Sequence, residues 1–204
     1  MACIFCSKVA KMKKENTKEK EKIIQKVEEK LLRKKISNIS LDDVAKELKI
    51  SKRTIYEIFY SKDEIYENII LRFHAELKKH HSKMIADIKN DEMSIYDGIE
   101  EFMKFVFKYK HLPLSKLFDK FPKHITKIKE DTMYFLDILL DLAKKRNVIR
   151  QDFDKGNFYL ILKGVLYTIV TQYDMDLGRI AGMCEIICFG LLTKQTQEEV
   201  FTFI

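Results

Sequence analysis

The stretch Ser51–Lys62, "SKRTIYEIFYSK", sets Lys52, Arg53, Thr54 and Tyr56 among Ile55, Ile58 and Phe59. These polar residues carry no acid–base pair, but they carry donors. Arg and Lys reach phosphate oxygens or the acceptors of guanine, and Thr meets a thymine methyl. The apolar residues recur at helical spacing and must turn one face inward, which leaves the polar ones outward. An ordinary solvated helix face is the plain alternative. Glu57 is acidic on the same face: it reads a cytosine, repels wrong sites, or lies off any interface.

Other clusters offer less. His74, His80 and His81 gather on one predicted helix near Glu76, where a metal site or a pH sensor is conceivable chemistry, but no further ligand set accompanies them. Cys3 and Cys6 form a single C-x-x-C with no second pair and no His beside it, so a tetrahedral zinc site lacks half its ligands. Cys184 and Cys188 share one helix face and read as buried thiols. The chain has no Gly-rich phosphate loop, no nucleophile elbow and no spaced metal motif. Neither an enzyme nor a metal or other cofactor is expected.

The elements that position Ser51–Lys62 are helices. The 204 residues are 46% hydrophobic, with two prolines (Pro113, Pro122) and six glycines, too few turn residues for a sheet protein of this length. The reading is all-α, with about nine helices. Residues 1–16 read as a basic flexible tail. A helical period starts at Thr17 and carries Ile23, Ile24, Val27 and Leu31. Ser40 stands as N-cap before "LDDVAKEL", with Asp42 and Asp43 in the first turn, where the helix dipole favours carboxylates. "KIS" turns the chain, and Ser51 caps the next helix. Two short helices joined this way form a helix-turn-helix, whose second helix lies in the DNA major groove. Val44, Ala45, Leu48, Ile50 and Ile55 would fill the wedge between them. Asp63 and Glu64 open a long helix with the stripe Ile65, Ile69, Phe73, Leu77, Met84 and Ile88. Further helices are expected near 95–106, 112–121, 123–145, 154–174 and 176–193.

Charge supports a polyanionic partner. Residues 1–62 hold 17 Lys/Arg against 9 Asp/Glu, an excess of 8, while residues 63–204 hold 21 against 22. A basic end on a near-neutral body suits nucleic acid or an anionic membrane surface. The basic tail has few bulky apolar anchors, no signal-peptide run is present, and no stretch reaches the ~20 apolar residues of a membrane span. A cytoplasmic protein with no membrane partner is expected.

The segments "TKEKEKIIQKV" and "ISLDDVAKELKISKRTIYEIFYSKDEIYENII", with the spacing S-K-x-T-[IL]-Y-x-x-F-x-x-K-[DE], resemble the tetracycline-repressor (TetR) family of bacterial transcription regulators over residues 17–71. That resemblance implies a helix-turn-helix DNA-binding domain at 17–62 and a helical effector-binding and dimerisation domain at 63–204. By position it implies DNA contacts from Lys52, Arg53 and Thr54, backbone contacts from Tyr56 and Lys62, and a phosphate contact from Ser40, with the capping Ser51 counted among the DNA-binding residues. Three residues depart from the pattern: Lys49 stands where the family usually has Gly, Arg53 where many members have Gly, and Ile58 replaces the aromatic common before Phe59.

The resemblance also implies an effector pocket in the middle helices. Phe102, Phe105, Phe118, Tyr134 and Phe135 are the candidates to line it for a small hydrophobic or amphipathic effector. In the last two helices, about 154–193, "FYLILKGVLYTIV" and "IAGMCEIICFGLL" are apolar over more than one face, and Gly164, Gly182 and Gly190 permit close approach. One side can pack on its own domain and the other on a second copy, which is the homodimer the family would form. The function so implied is a ligand-responsive repressor on a palindromic double-stranded DNA operator. The rival is a helical interaction protein whose degenerate helix-turn-helix no longer binds DNA.

Overall fold

The computed structural model describes residues 4–33, 39–109, 112, 117, 119–171 and 176–191. Cys3 and Phe118, and the side chains of Cys6, Cys184 and Cys188, lie outside the described part. Among the described residues there are eight helices and no strand: α1 Ile4–Arg33, α2 Leu41–Leu48, α3 Lys52–Ile58, α4 Lys62–Lys89, α5 Ile95–Lys108, α6 Pro122–Lys145, α7 Lys155–Thr171 and α8 Leu177–Leu191. Most of 112–121, where a ninth helix is expected, lies outside the described residues, although 117, 119 and 120 are helical.

The first helix begins at Ile4, well ahead of Thr17, within the stretch that reads as a tail. The reason is local. Residues 4–33 contain no Pro or Gly and many Lys and Glu, which are good helix formers. Apolar periodicity, the signal that places the helix start, is weak there.

By packing, the chain forms two units: residues 1–73 with 111–122, and residues 74–110 with 123–204. Helix α4 contributes to both. In the first unit α1, α2 and α3 pack on one another. Their contact is built from Ile23, Val27 and Leu31 of α1, Val44 and Ala45 of α2, and Ile55 with the following Phe59, all buried. Ile65, Ile69 and Ile70 of α4 are buried in the same unit. Each such aliphatic side chain stabilises the unit by roughly 1.5–3 kcal/mol.

Three helices end in the same way. Lys49, Asp91 and Asn147 adopt left-handed backbone, with φ of 56°, 61° and 55°. After α2, the Ile50 amide donates to the Ala45 carbonyl at 3.0 Å and the Lys49 amide to Lys46 at 3.2 Å. The Glu92 and Asp91 amides close α4 by the same pattern, as do Val148 and Asn147 for α6. This is the Schellman arrangement, which satisfies carbonyls that the last turn leaves without partners.

In the second unit α5 packs against α7 and α8. Its inner face buries Ile95, Ile99, Phe102, Met103 and Phe105. At Gly98 α5 lies close against α4, since a Cβ there would lie 2.9 Å from Ile88 Cδ1. Helix α6 adds Ile125, Ile128, Phe135, Leu136, Leu139 and Leu140.

Candidate nucleic-acid interface

Helix α3 is seven residues long and is held at both ends. Ser51 Oγ accepts from the Thr54 amide at 2.9 Å, and the two hydroxyls lie 2.9 Å apart. The Ser51 hydroxyl is therefore committed to capping. Ile55 and Phe59 fix the inner face. A helix step of about 100° then turns Lys52, Arg53, Tyr56 and Glu57 outward. All four are exposed, Tyr56 at 50%, and Thr54 is half-buried. Leu48 and Ile50, expected within the wedge, are only half-buried; Leu41 joins Val44 and Ala45 in the buried face of α2.

The outward cations are not loose. Lys52 Nζ donates to Asp42 Oδ2 of α2 at 2.9 Å, and the Asp42 carboxylate holds the ammonium above its ordinary pKa. Arg53 Nε donates to Glu57 Oε1 at 2.8 Å. Ser40 precedes α2 in extended conformation and its side chain makes no cap hydrogen bond, unlike Ser51. Its carbonyl accepts from the Val44 amide at 3.3 Å.

Lys62 stands apart from the other cations. It is half-buried, donates to the Ile39 carbonyl at 2.6 Å, and lies 5.6 Å from the centroid of the Tyr66 ring. Burial pushes its pKa down from the ordinary lysine value. The lysine thus ties the start of α4 to the residue before Ser40. Glu64, one turn on, accepts from the Tyr60 amide at 2.8 Å and from Lys20 of α1 at 3.1 Å.

The five aromatic residues expected around an effector separate. Phe102 and Phe135 are buried with ring centroids 5.8 Å apart, and Phe105 is buried beside Tyr109 at 5.1 Å. Phe118 lies outside the described residues. Tyr134 is 68% exposed and joins none of these rings, because its neighbour Phe135 takes the inward position of α6. Periodicity could not settle that choice between adjacent aromatics.

Two histidines that sequence reasoning left unassigned belong to this cluster. His81 is 4% exposed and stacks on Phe135, with centroids 4.0 Å apart and planes 3° from parallel. His80 lies against Phe105 at 4.5 Å. Among the described residues, neither His81 Nε2 nor His80 Nδ1 has a hydrogen-bond partner. Burial pushes His81 down to about 4 and lowers His80 as well, so both rings are neutral at neutral pH. His74 faces elsewhere, with Nε2 2.8 Å from Asp131 Oδ2. Among the described residues no group of three His, Cys, Asp or Glu could hold a metal ion.

Residues 31–69 match the family model described as bacterial regulatory proteins, tetR family. No curated protein sequence matches the chain. Solved structures resemble it over most of its length. The TetR transcriptional regulator SCO0520 from Streptomyces coelicolor matches with a TM-score of 0.62 and 15% identity, covering 86% of this chain and 99% of that one. The ketosteroid transcriptional regulator KstR2 of Mycobacterium tuberculosis gives 0.63 and 10%, covering 86% and 96%. The TetR family regulator PfmR from Thermus thermophilus gives 0.59 and 19%, covering 84% and 99%. Residues 31–69, which hold the helix-turn-helix, thus match the tetR-family model, and the chain as a whole has the fold of these TetR-family transcriptional regulators.

Proposed function

We propose that the protein is a ligand-responsive repressor that binds a palindromic operator as a homodimer in the cytoplasm. Residues 17–62 serve as the DNA-binding head, and residues 63–204 serve effector binding and dimerisation. One observation carries the reading. A capped helix, second in a helix-turn-helix, turns Arg53 and Tyr56 to solvent in the most basic third of the chain. In such a motif the outward N-terminal half of the second helix meets base edges while flanking groups meet phosphate. Lys52, Arg53 and Thr54 supply the first set, and Tyr56 meets the DNA backbone. Ser40, with its hydroxyl not engaged in capping, suits a phosphate. Ser51 contributes through the helix it caps, and Lys62 by fixing the start of α4 against Ile39.

Dimerisation is supported by the apolar side chains left bare on the last two helices. Leu160, Ile161 and Tyr167 of α7 and Leu177 and Ile186 of α8 are exposed in the single chain. Among the described residues, nothing lies within 4 Å of where a Cβ would project at Gly164, Gly182 or Gly190. A second copy would cover this face and bring two α3 helices to half-sites ~34 Å apart. For the effector, the aromatic cluster of Phe102, Phe105 and Phe135 suits a small hydrophobic or amphipathic molecule. Such a molecule changes DNA affinity only through different affinity for the bound and free forms of the protein. No helix among the described residues is long and apolar enough to cross a membrane.

The test is a mobility shift of the purified protein with fragments of the DNA upstream of its own gene. Retention of one fragment, resistant to excess random duplex, is the expected result. Failure to retain any duplex even at low salt would favour an interaction protein with a degenerate helix-turn-helix.

A further inference from the structure

Glu57 is poorly explained as a stabiliser of α3. It is the second-last residue of the helix, where the dipole disfavours a carboxylate. Its ion pair with Arg53 places the cation first and the anion four residues later, the weaker order for supporting a helix. Both side chains are open to solvent, Arg53 at 88% and Glu57 at 59%, and exposed pairs add little to stability. Nor does it suit simple phosphate attraction, since an anion on this face repels the DNA backbone.

Its geometry has a different consequence. The bond runs from Arg53 Nε to Glu57 Oε1 at 2.8 Å. A guanidinium gripped at Nε still has its terminal Nη1/Nη2 edge, and that edge is the one that donates two parallel hydrogen bonds to guanine O6 and N7. The neighbouring cation is not equivalent. Lys52 is drawn back to Asp42 of α2, and it has no planar fork. We propose that Glu57 is a positioning residue that holds Arg53 so that its terminal edge reads one guanine in the major groove. By offsetting the charge of Arg53, it also weakens that side chain's attraction to phosphates of any sequence. Both effects favour base discrimination over general affinity. Losing the first would return to Arg53 the rotamer freedom that must be frozen on binding, which corresponds to roughly two- to tenfold in affinity.

The proposal rests on the DNA-binding reading above, and one experiment separates the two. Random-sequence duplexes selected on the wild-type protein give its preferred site, and Arg53→Ala identifies the guanine that depends on Arg53. Fluorescence anisotropy then compares that duplex, the same duplex with 7-deazaguanine at the position (which lacks N7), and a random duplex. Glu57→Ala should lose roughly two- to tenfold of the discrimination between guanine and 7-deazaguanine, while binding the random duplex as well as or better than wild type. Glu57→Gln keeps an acceptor for Nε and should retain most of the discrimination. In an Arg53→Ala background, Glu57→Ala should change none of it. Full discrimination in Glu57→Ala, or an equal loss without Arg53, would overturn the positioning role and leave DNA binding intact. A wild type that selects no sequence would overturn both.

Discussion

His81 makes the second unit sensitive to acid at the level of a single ring. Its folded pKa, about 4, lies below the ordinary histidine value of 6.5 because burial disfavours the imidazolium. The unfolded chain therefore takes up a proton first as pH falls. Stability from this group is fully present above pH 6.5 and is lost progressively between 6.5 and 4, by on the order of 3 kcal/mol in total. His80, shifted in the same direction, adds to the loss. Thermal melts from pH 7.5 to 4.5 should show a steep fall for wild type and a shallower one for His81→Phe. An equal fall in both would remove His81 as the cause. Lys62 gives a second prediction at this scale. Replacing it with Met strips the Ile39 carbonyl of a donor in a half-buried place, at a cost of about 1–3 kcal/mol. Lys62→Met should lower the melting temperature even without DNA. A phosphate-contact role alone predicts weaker binding with an unchanged melt.

Among the elements, the helix ends decide local stability. Lys49 accepts left-handed backbone that costs a non-glycine residue about 1–2 kcal/mol. Lys49→Gly should relieve that strain, less the extra entropy glycine has when unfolded, for a gain of about 1 kcal/mol, seen as a melting temperature a few degrees higher. No gain would mean the lysine makes up the difference through its charge at the helix C-terminus. This position also marks what could be read in advance. Ser40, Ser51, the three- and four-residue steps from Leu41 to Val44 and Ala45, and the four-residue step from Ile55 to Phe59 were enough to place α2, the turn and α3. The start of α1 was not readable, because Lys and Glu form helix without leaving an apolar stripe. The inward choice of Phe135 over Tyr134 depends on how α6 is rotated, which one residue's type does not reveal. The resemblance singled out Lys62, but its bond to a carbonyl was not readable, since an ammonium suits a phosphate and a carbonyl alike. His81 has the chemistry of a ligand, and only tertiary packing turns it into a stacked, buried ring.

For the whole molecule the prediction concerns assembly. Ile186 is 75% exposed on α8 and Leu160 69% exposed on α7. Ile186→Asp or Leu160→Asp should leave the chain folded, because neither side chain is in its own core, and should shift the mass in light scattering from dimer to monomer. Palindromic-site affinity should fall with it, while a half-site binds as before. A mass unchanged by both substitutions would move the contact surface elsewhere. The length of α3 bears on how its surface can be used at all. Seven residues make under two turns, far short of the ~12–15 at which an isolated helix becomes marginal in water. Excised as a peptide, Ser51–Phe59 would be a coil with no preferred presentation of Arg53. On the proposed function, any sequence it reads is therefore legible only while Ile55 and Phe59 stay buried and α3 stays packed on α1 and α2, so heating that loosens this packing would erase the reading surface before the rest of the chain unfolds.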